Sequence, residues 1–202
     1  MLSLFLCSMI DIEVITTGRL LLRKFTPAVM DEVFTTFSDE QIKNFLGLET
    51  DEALEKEKAK YRKGLTMHNR SFVNFQLIGK EAGKIIGACG YHTWMPDHRR
   101  AEIGYALTDE QYKNRGFMTE AMEFILRYGF EHMDLLRVEA MIGPSNIPST
   151  KLAEHFGFVK EGLMREHYRK EGVQQDSAVY SLLKREYEAF RQKQEEEEAE
   201  EQ

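Results

Sequence analysis

Apolar side chains along this chain recur at two spacings, near 2 and near 3.6 residues, and the switches between them mark the elements. Leu20-Leu21-Leu22-Arg23-Lys24-Phe25 reads as a first strand. Thr26 and Pro27 then open a helix, Thr as N-cap and Pro in the first turn. Val29, Val33, Phe34 and Phe37 follow at helical spacing. Asp39 to Leu46 reads as a second short helix. A third runs from Thr50 to about Met67, dense in Glu and Lys, with i,i+4 pairs on a solvated face. Phe72 to Ile78 alternates apolar and polar, turns at Gly79 to Gly83, and pairs as a hairpin with Lys84 to Thr93. After the polar stretch Pro96 to Arg100, Ala101 to Leu107 has the apolar, aromatic and β-branched mix of a strand. A long amphipathic helix is expected from Phe117 to His132. Leu136 to Ile142 is a further strand, ended by Gly143-Pro144-Ser145-Asn146. Pro148 to Phe156 is a short helix with Gly157 beyond its end. Phe158 to Tyr168 and Ser177 to Leu183 read as a closing hairpin. From Lys184 the pattern turns helical and then acidic, and 186–202 is expected to be a disordered or frayed tail.

Composition narrows the class. The 202 residues suit one domain with a real core. With 34 acidic against 27 basic side chains the net charge is −7, which argues against nonspecific nucleic-acid binding and mildly favours cationic substrates. The two cysteines, Cys7 and Cys89, form no CxxC or Cys/His cluster, so neither a disulfide framework nor a metal site is expected, and a cytoplasmic location fits. Cys89 lies in an apolar strand and reads as core; an acyl-accepting thiol is the lesser alternative. The apolar opening MLSLFLCSMI lacks a basic flank and is too short to span a bilayer, so no membrane association is expected. Residues 1–14 read as an extension, and Met9 is an alternative start.

The chemistry concentrates in AEIGYALTDEQYKNRGFMTEA, residues 101–121. A strand that turns into a helix N-terminus presents unpaired backbone N–H groups and the positive end of the helix dipole, which is an anion site. Gly116 would let a phosphate approach the backbone. The stretch has neither the Gly-Lys-Ser/Thr of a Walker A loop nor the three spaced glycines of a dinucleotide fingerprint.

Gln111-Tyr112-Lys113-Asn114-Arg115-Gly116 resembles the pyrophosphate loop of the GCN5-related N-acetyltransferases (GNAT), Gln/Arg-x-x-Gly-x-Gly/Ala. Asn114 stands where the first glycine is usual, and Asn tolerates positive φ better than most residues. The flanking EIGY and TEA, the opening Thr17-Gly18-Arg19-Leu20-Leu21-Leu22-Arg23, and Asn146-Ile147-Pro148-Ser149 followed by Leu152 and Phe156-Gly157-Phe158 are similar to the RimJ/RimL branch, which acetylates ribosomal-protein N-termini. The resemblance covers about residues 15–185. It implies a mixed α/β fold with a central, mostly antiparallel twisted sheet of about seven strands and about four helices.

It also implies acetyl transfer from acetyl-CoA to a primary amine by direct attack, without a metal. Backbone N–H groups of Lys113, Asn114, Arg115, Gly116, Phe117 and Met118, with Gln111 and Thr119 beside them, would hold the pyrophosphate. Tyr105, Ala106 and Leu107 would meet the pantetheine arm, with a backbone N–H near Leu107 facing the thioester oxygen. Glu102 is the first candidate general base and His92 the second; their plainer readings are a surface carboxylate paired with Arg99 or Arg100 and a strand-end histidine. The tyrosine that many members place on the helix after the second motif is Ala153 here, so Ser149 is the candidate partner of the leaving thiolate, or else a helix-start residue. Asn146 would bond the arm or simply serve the turn. Phe37, Phe45, Trp94, Tyr168 and Asp176 are acceptor candidates by element position; Phe45 and Trp94 fit a core equally well, and Asp176 a hairpin cap. The acceptor is a protein N-terminus or a small amine such as a polyamine, amino sugar or antibiotic; a CoA-binding module without turnover is the remaining alternative. The fold also admits a homodimer through the closing strands.

Overall fold

A computed structural model describes residues 12–64 and 71–200. The readings on residues 1–11, including Cys7 and the alternative start at Met9, lie outside the described residues. So does the far end of the helix expected to reach Met67.

Eight strands are described: β1 (Val14–Thr16), β2 (Leu20–Phe25), β3 (Ser71–Gly79), β4 (Lys84–Met95), β5 (Arg100–Leu107), β6 (Arg137–Ile142), β7 (Val159–Lys170) and β8 (Val173–Leu183). The helices are α1 (Pro27–Thr36), α2 (Asp39–Leu46), α3 (Asp51–Arg62), α4 (Phe117–Glu131), α5 (Ile147–His155) and α6 (Lys184–Glu200). Strand order is β1-β2-β3-β4-β5-β6-β8-β7. Pairing is antiparallel for β1–β2, β2–β3, β3–β4, β6–β8 and β7–β8, and parallel for β5–β6. This is the expected mixed α/β class with one more strand and two more helices. The chain divides into two compact units, 1–95 with 104–125, and 96–103 with 126–202, so β5 and α4 each contribute to both.

In the first unit, the expected caps form. The Thr26 side chain accepts from Val29 N ahead of Pro27, and Thr50 accepts from Ala53 N. Ser38 and Gln41 close a reciprocal capping box at the start of α2, and Gly47 ends that helix in the left-handed region at φ 70°. These three helices bury one apolar cluster of Phe25, Met30, Val33, Phe37, Ile42, Phe45 and Leu54. Arg23 lies fully buried beneath it. Its Nε donates to Gln76 Oε1 at 2.8 Å, its Nη2 to the same oxygen at 2.6 Å and to the Phe45 carbonyl at 2.5 Å, and its guanidinium sits 4.0 Å from the Phe45 ring centroid. A cation at the carbonyl end of α2 complements the helix dipole. Cys89 is fully buried in β4 and burial pushes its thiol far up, so it is a core residue and no thiolate.

The second unit carries a polar ladder across its strands. Arg100 donates to Glu139 at 2.7 Å, Arg137 to Glu139 at 2.8 Å and to Glu161 at 2.5 Å, and Ser181 to Glu161 at 2.7 Å. Val138, Ala140 and Ile142 of β6 face the other way and are buried. Of the two readings for the acidic tail, disordered or a frayed helix, the described residues take the helix, as α6 to Glu200, and two aromatics anchor it. Tyr187 stacks on Phe130 at 4.7 Å, and Phe190 meets the Phe156 ring at 6.3 Å. Arg191–Glu195 and Lys193–Glu197 then pair along the exposed face at i,i+4.

Candidate active site

The first unit builds the anion loop. Thr108 N donates to Ile86 O at 2.9 Å, so the β4–β5 ladder persists to the end of the strand. Along an antiparallel strand the hydrogen-bonding edges alternate by residue. With Thr108 N–H and Ala106 O turned toward β4, the Leu107 N–H between them turns away from it. Two glycines let the backbone and a side chain of β4 crowd β5. A Cβ on Gly87 would meet Ala106 O at 2.5 Å, and one on Gly104 would meet His92 Nε2 at 2.7 Å. The His92 imidazole thus lies directly on Gly104, with its Nδ1 3.4 Å from Thr93 Oγ1.

Beyond β5, Asp109 starts a single tight turn. Its carboxylate accepts from Gln111 N at 3.1 Å and Gln111 Nε2 at 2.7 Å, and the bond from the Gln111 backbone, foremost, holds it below the usual carboxylate range. Tyr112 is buried with its ring edge-on to Phe117 at 6.1 Å. Asn114 and Gly116 then take φ 55° and 75°. Both lie in the left-handed region, where asparagine costs less than other side chains and glycine nothing. The alternation turns the loop back onto the axis of α4, whose first intrahelical bond runs from Glu120 N to Gly116 O at 3.0 Å. The N–H groups of Phe117, Met118 and Thr119 precede that bond and have no carbonyl within the helix to meet. Lys113 pairs with Glu110, and the Arg115 guanidinium lies 5.4 Å from the Phe117 ring centroid.

A contact set that sequence spacing did not suggest backs this loop. Glu120 Oε1 accepts from Thr17 Oγ1 at 2.6 Å and Arg19 N at 2.7 Å, and Oε2 accepts from Arg19 Nε at 2.7 Å. Arg19 also donates to the Arg115 carbonyl at 2.7 Å. Burial alone would raise the Glu120 carboxyl; the bonds from Thr17 and Arg19 outweigh it and hold the group below its ordinary value.

In the second unit, Glu102 is half-buried on β5, directly opposite Glu139 in register. The arginines expected as its plain partners are otherwise engaged, Arg99 with Asp134 and Arg100 with Glu139. The registered pairs of β5 with β6 end at Glu102↔Glu139, while β5 continues to Leu107. The Asn146 side chain caps α5, accepting from Ser149 N at 3.2 Å. The helix-start role considered for Ser149 therefore belongs to Asn146. Ala153 is buried, with no hydroxyl at its position.

Acceptor candidates separate on burial. Phe45 is 0% exposed and Phe37 is buried edge-on to it at 5.9 Å, so both are corrected to core residues: their rings offer no surface to a substrate. Trp94 is half-buried just past a β-bulge, where Tyr91 and Trp94 of β4 face Val73 and Ser71 of β3. Among the described residues, its indole Nε1 is buried without a hydrogen-bond partner. Tyr168 is 42% exposed, and its hydroxyl lies 3.6 Å from where a Cβ on Gly143 would stand. Asp176 accepts from Glu166 N at 2.8 Å, which ties down the bulge of β7 rather than the hairpin turn. Beside it, His167 Nδ1 lies 2.9 Å from the buried Ser177 hydroxyl, a pair that no sequence spacing joins. Among the described residues there is no group of three or more metal-ligating side chains, and no helix is long and apolar enough to cross a membrane.

The sequence matches the family profile described as an acetyltransferase (GNAT) domain over residues 19–159. The chain belongs to the GNAT acetyltransferases. It is 34% identical over 177 residues to an uncharacterized N-acetyltransferase, p20, of Bacillus licheniformis, with 87% of this chain and 98% of that one covered. It is 27% identical over 117 residues to the ribosomal-protein-serine acetyltransferase of Escherichia coli K12, covering 58% and 64%. A solved GNAT-family acetyltransferase from Bacillus anthracis shares the fold with a TM-score of 0.59 at 26% identity, over 86% of this chain and 99% of that one. GNAT enzymes take their acetyl group from acetyl-CoA and pass it to an amine. The Gln111–Gly116 loop fits that donor: Asn114 holds the left-handed turn of the missing glycine, and Gly116 leaves the helix N-terminus bare.

Proposed function

We propose that this GNAT enzyme acetylates the α-amine of a protein N-terminus. The observation that carries the donor half of the reading is the left-handed pair Asn114 and Gly116 at the N-terminus of α4. Similarity to the ribosomal-protein-serine acetyltransferase supports the acceptor class. Bound acetyl-CoA supplies an activated thioester. Backbone N–H groups from Lys113 to Met118 hold the pyrophosphate, with Gln111 and Thr119 flanking them and Arg115 adding charge. The edge of β5 that faces away from β4, at Tyr105 and Leu107 with Ala106 between, pairs with the pantetheine arm. The Leu107 N–H faces the thioester oxygen, where negative charge develops.

In the second unit, Glu102 takes the proton of the attacking amine through a water, and His92 of the first unit is the alternative base. Ser149 donates to the departing sulfur, and the Asn146 amide, its oxygen committed to the cap, donates to the arm. A C–N bond forms as the C–S bond breaks, and one proton passes from nitrogen to the base. An α-amine with pKa about 7.7–8.0 needs only modest help, since a sizeable fraction is neutral near pH 7. Trp94, Tyr168 and Asp176 remain the acceptor-facing assignments.

The test is thiol release from acetyl-CoA against short peptides, each with a free or a blocked N-terminus, and against polyamines and amino sugars. Turnover that requires the free α-amine is the expected result. Turnover on polyamines alone would overturn the acceptor assignment.

A further inference from the structure

We infer that Arg19 is a positioning residue for the pyrophosphate loop, acting by fixing one peptide plane. The inference rests on the loop reading above. Two stretches quoted for their resemblance, Thr17-Gly18-Arg19 and the Glu120-Ala121 that follows Thr119, have no part in the proposed chemistry, yet the fold joins them through Glu120. The Glu120 carboxylate receives Thr17 Oγ1, Arg19 N and Arg19 Nε, which fixes the guanidinium in direction as well as place. The same guanidinium lies 4.5 Å from the Phe117 ring centroid and donates through a further nitrogen to the Arg115 carbonyl at 2.7 Å.

Among the described residues there are no cis peptide bonds. In a trans peptide the C=O and the following N–H point in opposite directions. Holding the Arg115 carbonyl toward Arg19 therefore turns the Gly116 N–H away from Arg19, onto the opposite face of the loop, and the anion is placed there as part of this inference. Gly116 at φ 75° has no Cβ to resist rotation of that plane. A cavity of about 260 Å³ borders Arg19, Lys80, Tyr112, Arg115 and Phe117, and a Cβ on Gly116 would meet Arg19 Nη2 at 3.3 Å, so the guanidinium itself occupies that side of the plane. Without the clip, this plane samples both directions and the N–H is presented part of the time.

A fork is needed for this. Arginine reaches Glu120 and the Arg115 carbonyl with separate nitrogens in one rigid plane, whereas a lysine ammonium is a point charge. That difference separates positioning from simple attraction of an anion by a nearby cation.

The experiment compares calorimetric titrations of CoA into the full chain, Arg19→Lys and Arg19→Ala, with thermal unfolding of each. Pantetheine, which lacks the pyrophosphate, is titrated in parallel by NMR. Both variants should bind CoA about tenfold more weakly, the worth of one backbone donor to a charged oxygen, with pantetheine binding and the unfolding midpoint little changed. Arg19 is half exposed, so both variants should fold. Wild-type CoA affinity in Arg19→Lys would mean that charge alone matters and would overturn the inference. So would equal weakening toward pantetheine, which marks a merely structural role. Absence of CoA binding by the unmodified chain would instead overturn the loop reading itself, and the inference with it.

Discussion

Replacing Asn114 by valine isolates the backbone conformation on which the loop depends. The Asn114 side chain is exposed and makes no hydrogen bond among the described residues, so its loss removes no contact. What changes is the cost of φ 55°. Left-handed geometry costs an ordinary L-residue about 1–2 kcal/mol, asparagine less, and a β-branched residue is the least tolerant. Asn114→Val thus adds about 2 kcal/mol of strain if the loop keeps its shape. That strain can appear in two places. If the loop holds, the unfolding midpoint falls by about 4–8 °C for a chain of this size. If it relaxes to negative φ, stability is spared and CoA affinity drops, by about 30-fold at the limit where the whole 2 kcal/mol is transferred. Calorimetric titration and thermal unfolding on the same sample read the two together. Asn114→Gly should stay within about 0.5 kcal/mol of the parent in both, since easier left-handed geometry offsets the greater freedom of the unfolded chain. Asn114→Val with unchanged affinity and unchanged midpoint would refute the reasoning.

Three further outcomes are expected. Arg23→Met leaves Gln76 Oε1 buried without its donor and the Phe45 carbonyl with the 3.3 Å bond from Gln76 Nε2, and should lower stability by about 2–4 kcal/mol in urea unfolding. Glu161 is held at about 2, first by its bonds from Arg137 and then by Ser181. Its folded value is depressed, so the stabilisation is present above its unfolded value and is lost as pH falls toward 2; the gap between the parent and Glu161→Gln should be under about 1 kcal/mol at neutral pH, because the pair is partly exposed, and should close in acid. Glu102→Gln should lower turnover about 10- to 100-fold and flatten the acid limb of the pH–rate profile; an unchanged profile would remove Glu102 as the base.

Most of the fold was legible because its strands and helices carry their own periodicity. The hairpin of β3 and β4, the strand–turn–helix of β5 and α4, and the Thr26-Pro27 cap were all readable locally. What escaped was non-local. Three-residue β1 is too short to show a period, and it exists because β2 offers an edge. The acidic tail reads as disordered or frayed by charge, yet Tyr187 and Phe190 anchor it against rings far away in sequence. Phe37 and Phe45 were placed near the acceptor by element order, and only the packing of α1 to α3 shows them inside the core. The loop was visible as a motif and its asparagine as a tolerable substitution. The clip behind it joins residues 101 apart in the chain, a distance no spacing rule spans.

The proposed donor seat is the Gln111–Gly116 loop together with Tyr105 to Leu107 of β5. The most direct measurement is an NMR titration of the amide spectrum with CoA. The largest saturable shifts should fall on Tyr105, Leu107 and the amides from Lys113 to Met118. Saturable shifts centred elsewhere, with these amides unmoved, would contradict that seat.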